Sequence, residues 1–336
     1  MPGAPELADL LRQAKVARAA RDDEAARAAY AVSFDRAREA HDVAAMSEAA
    51  LGLAAVHAYG MHPGRVPAFL REAHSVADGD MKVRLAVAIV RAWAYSGSPE
   101  RGLEFATEAV AAAEQSDDPA LLAEALDAQL LVNWGPDDYA TRLAITARLE
   151  DTVAYVADVE ARQSAYLWRL TAAVESLDLP EVTRQLRALD RLAVETGSAR
   201  VRFFASARNA MHAIVVGDLD AARMLHAEAA EAGAAANEAD AYAIDHLLLA
   251  EIARRAGDTE RMRLEAAHYE EFGSTEGAPN IVVEAAELWL LGGELEHAHA
   301  LMQQVAGGGL AALPRNSDWI RVVTLLTQIA AATGEL

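Results

Sequence analysis

The 336-residue chain predicts an all-α fold: a right-handed superhelical solenoid of about eight helical hairpins ending in one last helix. Three features point there. Roughly a quarter of the residues are alanine, the strongest helix former. Aromatic residues are scarce, and β-branched residues nowhere alternate with polar ones over a long run, which disfavours sheets. Helix-breaking stretches recur at nearly even intervals of about 33 to 43 residues, a spacing typical of stacked helical hairpins.

The breakers share one chemistry. They are "RDDEAARAAY" at Asp22, "YGMHPGRVPAF" at Gly64, "YSGSPERGLEF" at Gly97 and "NWGPDDYATRL" at Gly135. "SLDLPEVTRQL" at Asp178, "VGDLDAARML" at Gly217, "AGDTERMRLE" at Gly257 and "LGGELEHAHA" at Gly293 follow. A glycine closes one helix in the left-handed conformation. The Asp or Ser after it accepts bonds from the free N–H groups of the next helix, and Pro fits that helix's first turn. First helices are predicted at 5–20, 43–59, 81–95, 119–133, 160–176, 199–215, 238–255, 280–291 and 316–332. Second helices are predicted at 24–40, 65–77, 99–115, 137–156, 180–196, 220–233, 259–271 and 295–305.

Five residues after the turn glycine, small residues recur at Gly102, Ala140, Ala222 and Ala298, with Met262 in one unit. A small residue there lets the second helix lie close on the first, as it does at the helix crossing of tetratricopeptide repeats. The units here are longer than that repeat's period. No linker rich in Pro, Gly or Ser divides the array, so residues 1–336 read as one domain, loosest near 273–280 and 307–309.

Composition excludes several functions. The net charge of −21 repels phosphate backbones and anionic membrane surfaces, so neither direct nucleic-acid nor membrane binding is expected. With no cysteine there is no disulfide, thiolate metal site or cysteine nucleophile. No basic start precedes an apolar run, and no apolar stretch reaches spanning length, which leaves the cytoplasm as the expected location.

Two segments carry a family resemblance. "DPALLAEALDAQLLVNWGPDDYATRLAITARLEDTVAYV" and "LAALPRNSDWIRVVTLLTQIAAATG", the latter with Leu313, Pro314, Arg315 and Trp319, resemble the tetratricopeptide-like, MalT-like helical-repeat region of large actinobacterial regulators. Those proteins join a STAND-class ATPase to the repeats, some with an adenylate-cyclase-like domain and others with a LuxR-type helix-turn-helix. The resemblance implies a sensor or scaffold arm that binds something. The phosphate-cradling G-x-x-x-x-G-K-[ST] loop and a basic helix-turn-helix are both missing from this sequence.

Candidate chemistry is sparse. His297 and His299 point to different helix faces, no H-E-x-x-H occurs, and no metal or cofactor is expected. In "VNWGPDDYATRLAI", Gly135 is expected to close a helix, Asp137 or Asp138 to cap the next, and Trp134 to pack beneath the turn. The "DGD" at 78–80 reads as capping too. No nucleophile elbow or dinucleotide fingerprint is present, so an enzyme is not expected. The groove candidates lie on three consecutive first helices: Tyr166, Trp168 and Arg169; Phe203, Phe204, Arg208 and His212; Tyr242 and His246. They suit a peptide, or a small ligand with an anionic group, unless the aromatics belong to the core between repeats. Trp93 and Trp289, four residues before their turn glycines, read as packing. A non-enzymatic module for a protein or peptide partner is the expected function, with a small-molecule effector as the alternative.

Overall fold

The computed structural model describes residues 6–57, 60–310 and 313–334. Among them are seventeen α-helices and no strand. The chain begins with α1 (Leu7–Ala19), α2 (Asp23–Glu39), α3 (Val43–Ala54), α4 (Val66–Val76), α5 (Gly79–Tyr95) and α6 (Leu103–Ala113). It continues with α7 (Pro119–Val132), α8 (Tyr139–Val153), α9 (Val159–Glu175), α10 (Leu179–Thr196), α11 (Ala199–Val216) and α12 (Leu219–Ala236). The last are α13 (Ala241–Ala256), α14 (Thr259–Glu276), α15 (Pro279–Leu291), α16 (Leu295–Ala306) and α17 (Trp319–Thr333). Odd-numbered helices are the expected first helices and even-numbered ones the second. A 3-10 turn, Pro99–Gly102, leads into α6. Of the first helix expected at 43–59, residues 55–57 turn away from α3, and 58–59 lie outside the described residues.

The turns are built around aspartate more than glycine. The N–H groups of Asp22, Asp42, Asp178, Asp218 and Asp258 each bond the carbonyl five residues back, at 2.9 to 3.0 Å, which closes the preceding helix. Each of these aspartates then turns its side chain to cap the following helix; Asp218 accepts from Ala221 N at 3.0 Å and Asp258 from Arg261 N at 3.0 Å. Only the residue before the aspartate varies. It is Gly217 and Gly257 in two turns, but Arg21, His41 and Leu177 adopt the same left-handed conformation in the others. The same long-reach bond runs from Ser98 to the Trp93 carbonyl and from Glu294 to the Trp289 carbonyl. That places both tryptophans at one structural position.

The small-residue position holds in most units. A Cβ on Gly102 would lie 3.2 Å from Val90 Cα, so the helices there are in backbone contact. Ala222 and Ala298 are fully buried and Met262 is buried. Ala140 is exposed, because α8 begins only at Tyr139 and its unit departs from the pattern. Gly135 is not left-handed. It is required for space: a Cβ there would stand 2.9 Å from Asp138 Oδ2 and 3.1 Å from the Arg315 carbonyl. Asp78 starts α5 without a side-chain cap. The segment expected to be loose at 273–280 is mostly helix: α14 continues through Gly273, where a Cβ would stand 3.0 Å from Val282 of α15. Residues 307–309 are turn, and 311–312 lie outside the described residues.

The chain divides into two compact units. The first comprises Met1–Asn133 and Thr141–Ala165, the second Trp134–Ala140 and Tyr166–Leu336, and the division falls inside α9 without a linker. In the first unit α1 to α7 pack each on the next, and the first helices also touch in order: α1 on α3, α3 on α5, α5 on α7. Its core includes Tyr30, Phe34, Leu53, Phe69, Leu70 and Ile89, with Phe34 and Phe69 edge to face at 4.7 Å. In the second unit α10 to α17 pack in succession, and α11, α13, α15 and α17 touch in the same way. Its core is a relay of small clusters. Leu167 is shared by two of them, and Tyr269 and Trp289 by two more. Within each unit the helices named thus bury their apolar faces against their neighbours, as in a repeat array.

Candidate functional site

Polar rungs tie consecutive first helices. In the first unit Arg91 Nη2 meets Asp127 Oδ2 at 2.9 Å, and Ser164 Oγ donates to the other oxygen of Asp127. In the second, Arg200 Nε meets Glu238 Oε2 at 2.7 Å. Arg321 bonds Glu284 at 2.9 Å and Glu251 at 3.2 Å, and Arg254 pairs with Glu287 and Glu251. Burial pushes the Glu284 and Glu287 carboxyls above the usual range, against the pull of their arginines. The Tyr269 hydroxyl nearby is raised by burial and by Glu284 and Glu251.

The structure sorts the predicted groove residues into two groups. Trp168 is buried and stacks edge to face on Trp134 at 4.9 Å; Trp134 therefore packs as expected, but against a supposed groove residue. Phe203 and Phe204 are buried against each other, their rings 4.9 Å apart. Tyr166 packs on the cluster of Leu170, Val182 and Leu186. Arg169 Nε is held 3.2 Å from Glu181 Oε1, which also accepts from Gln185 at 2.7 Å. Burial raises the Glu181 carboxyl, but these bonds and Arg184 outweigh it and hold the group below the ordinary range. These positions are core or its polar edge.

The other group reaches the surface. Tyr242 is 55% exposed, enough to offer a whole ring face, and its ring lies 4.4 Å from that of His246. His246 is anchored beneath: its Nδ1 is 2.6 Å from Oε2 of Glu265, a carboxylate with no solvent exposure. Arg261 Nη2 sits 2.5 Å from the other Glu265 oxygen, and His268 lies 4.5 Å from the His246 ring. The adjacent Asp245 is bound by His226 Nε2 at 2.7 Å. On α11, Arg208 and His212 are part-buried, one turn apart. Arg208 Nη1 rests 3.5 Å from the Met211 sulfur. Burial pushes its guanidinium below the ordinary value, with Asp240 acting the other way.

Sequence reasoning did not anticipate Glu265 or His268, which lie on the neighbouring α14. It also missed a cleft of about 320 Å³ among α4, α5 and α6, lined by His74, Asp80, Lys82, Glu108 and Ser116. There Lys82 Nζ and His74 Nε2 stand 3.2 and 3.5 Å from one Glu108 oxygen, and burial lowers the imidazole's proton affinity. Trp289, expected only to pack, donates its indole N–H to Glu270 at 2.8 Å, and His297 shares that oxygen. Asp137 pairs with Arg315 at 2.6 Å, the Arg315 guanidinium lies 4.2 Å over the Trp319 ring, and Asp138 stands immediately before α8. No protein-family model matches the chain, and no curated protein matches it. Among the described residues no group of three His, Asp or Glu side chains is placed to hold a metal, and no helix is long and apolar enough to cross a membrane.

Proposed function

We propose that the chain is a non-enzymatic, tetratricopeptide-like binding module that takes a protein or peptide partner on the first-helix face of α11 and α13. One observation carries the reading. Tyr242 offers an exposed ring that lies against His246, and His246 is fixed in turn by the fully buried Glu265. An aromatic surface held still before contact loses little freedom on binding, and such rigid rings are the usual anchors of interfaces. The resemblance of the segment around Leu313, Pro314, Arg315 and Trp319 extends the proposal to transcriptional or signalling control in the cytoplasm. The net charge of −21 favours a partner whose flanks are basic. A small-molecule effector is the second reading, supported by the part-buried Arg208 beside this surface.

The test is capture from native extract with the purified chain and with a Tyr242→Ala/His246→Ala variant as baits. A partner retained by the first and lost by the second supports the proposal. Equal retention by both baits, or no partner at native abundance, sinks it.

A further inference from the structure

Several arginines on the first helices of this protein pair with the neighbouring first helix, and the part-buried Arg208 does not. Arg91, Arg200, Arg254 and Arg321 each pair with a carboxylate on or beside the adjacent first helix, at sequence separations of 36, 38, 33 and 37 residues. Applied to Arg208, those separations point to residues 241–246. The acid in that window is Asp245, already bound by His226, and the imidazole is His246, already bound to Glu265. Among the described residues no carboxylate stands within 4.0 Å of the Arg208 guanidinium; its one hydrogen bond is the weak one to the Met211 sulfur. A part-buried cation with no carboxylate in contact costs stability. It is also unusual in a chain with 51 acidic against 30 basic residues.

We infer that Arg208 is an anion-recognition residue, which receives the carboxylate or phosphate group of a small organic ligand on the first-helix face of α11 and α13. The guanidinium fork matches either group with two parallel N–H···O bonds. The part-buried His212 lies one turn beyond it on α11, and the Met211 sulfur provides an apolar neighbour. An anion carried on an aromatic or apolar body therefore fits better than a bare one. The inference rests on the second reading of this face, as the site of a small-molecule effector, and names the chemistry it takes.

The experiment titrates inorganic phosphate, phenyl phosphate and benzoate into the full chain, followed by calorimetry and thermal shift. Variants are Arg208→Met and Arg208→Lys. Methionine fills the same apolar space and removes the unpaired charge, so that variant folds and melts no lower than the parent. Saturable binding of phenyl phosphate or benzoate, weakened about tenfold or more in Arg208→Met and less in Arg208→Lys, supports the inference. Preference for phenyl phosphate over benzoate assigns a phosphate ester, and the reverse a carboxylate. Binding of inorganic phosphate as tight as that of phenyl phosphate removes the organic body from the proposal. Overturning results are no saturable binding of any of the three, or binding unchanged in Arg208→Met. Partner capture that depends on Tyr242 and His246 while the anions fail to bind would sink this inference alone. Loss of both would sink the binding face.

Discussion

Gly52 offers a sharp test of the packing because local and tertiary effects oppose each other there. It lies inside α3, where alanine in place of glycine ordinarily stabilises by about 0.5 to 1 kcal/mol. A Cβ at Gly52, however, would stand 2.5 Å from Cζ and 2.6 Å from Cδ1 of the Tyr30 ring. Ordinary contact begins near 3.4 Å, so the ring must retreat by close to 1 Å. Tyr30 is 2% exposed and packed within the first-unit core, which leaves it nowhere to go. Overpacking of this kind costs about 1 to 3 kcal/mol, and a confined aromatic ring belongs at the upper end. Gly52→Ala should therefore destabilise by about 2 kcal/mol after the helical gain is subtracted. Urea unfolding followed by circular dichroism reads this directly. Combining Gly52→Ala with Tyr30→Leu, which makes room, should show a coupling of about 1 to 2 kcal/mol in a double-mutant cycle. Gly52→Ala as stable as the parent, or more stable, refutes the placement of Tyr30 over α3.

Three further outcomes are expected. Leu177 is left-handed and 80% exposed, so Leu177→Gly should relieve strain and raise stability by about 1 kcal/mol in urea unfolding; no gain would mean that its turn is not left-handed in solution. In this cysteine-free chain, Asp137→Cys with Arg315→Cys should be joined intramolecularly by a short bis-maleimide in native buffer but not in denaturant, visible as a gel-mobility shift; equal labelling without a bridge in native buffer would refute their proximity. Burial raises the carboxyls of Glu124, Glu284 and Glu287, so each binds its proton more tightly folded than unfolded. Their share of stability therefore grows as pH falls from neutral through the raised folded values and is complete below the unfolded carboxylate value. Glu284→Gln should flatten that rise in the urea midpoint, and an unchanged slope would count against a buried Glu284.

The helices were legible because their ends are written locally. An aspartate that closes one helix and caps the next announces itself within six residues, as at Asp218 and Asp258. The reading failed where distant chain decides. Gly135 looked like a helix terminator, but its size is set against the carbonyl of Arg315, far along the sequence. Gly273 looked like a loop because glycine is a poor helix former, yet a helix stacked on Val282 needs it there. The candidate site divides the same way. Tyr242 and His246 are one helical turn apart and could be paired by spacing alone. Their support could not: Glu265 and His268 come from the following helix, and no periodicity states which of its residues face back. Trp168 and Phe204 are core because stacking buries them, and apolar aromatics on a first helix read alike in either role.

An array in which every hairpin leans only on the next would peel from its tip, one pair at a time. The ion pair of Asp137 with Arg315, capped by the Trp319 ring, spans 178 residues of sequence inside the second unit. Because Arg315 lies just before α17, unravelling that runs past α17 toward α16 must break this bond to the middle of the chain. Each such tie is weak, of the order of 1 kcal/mol in solvent. Even so, it makes the far end report on residues 134–140, and added salt loosens both together.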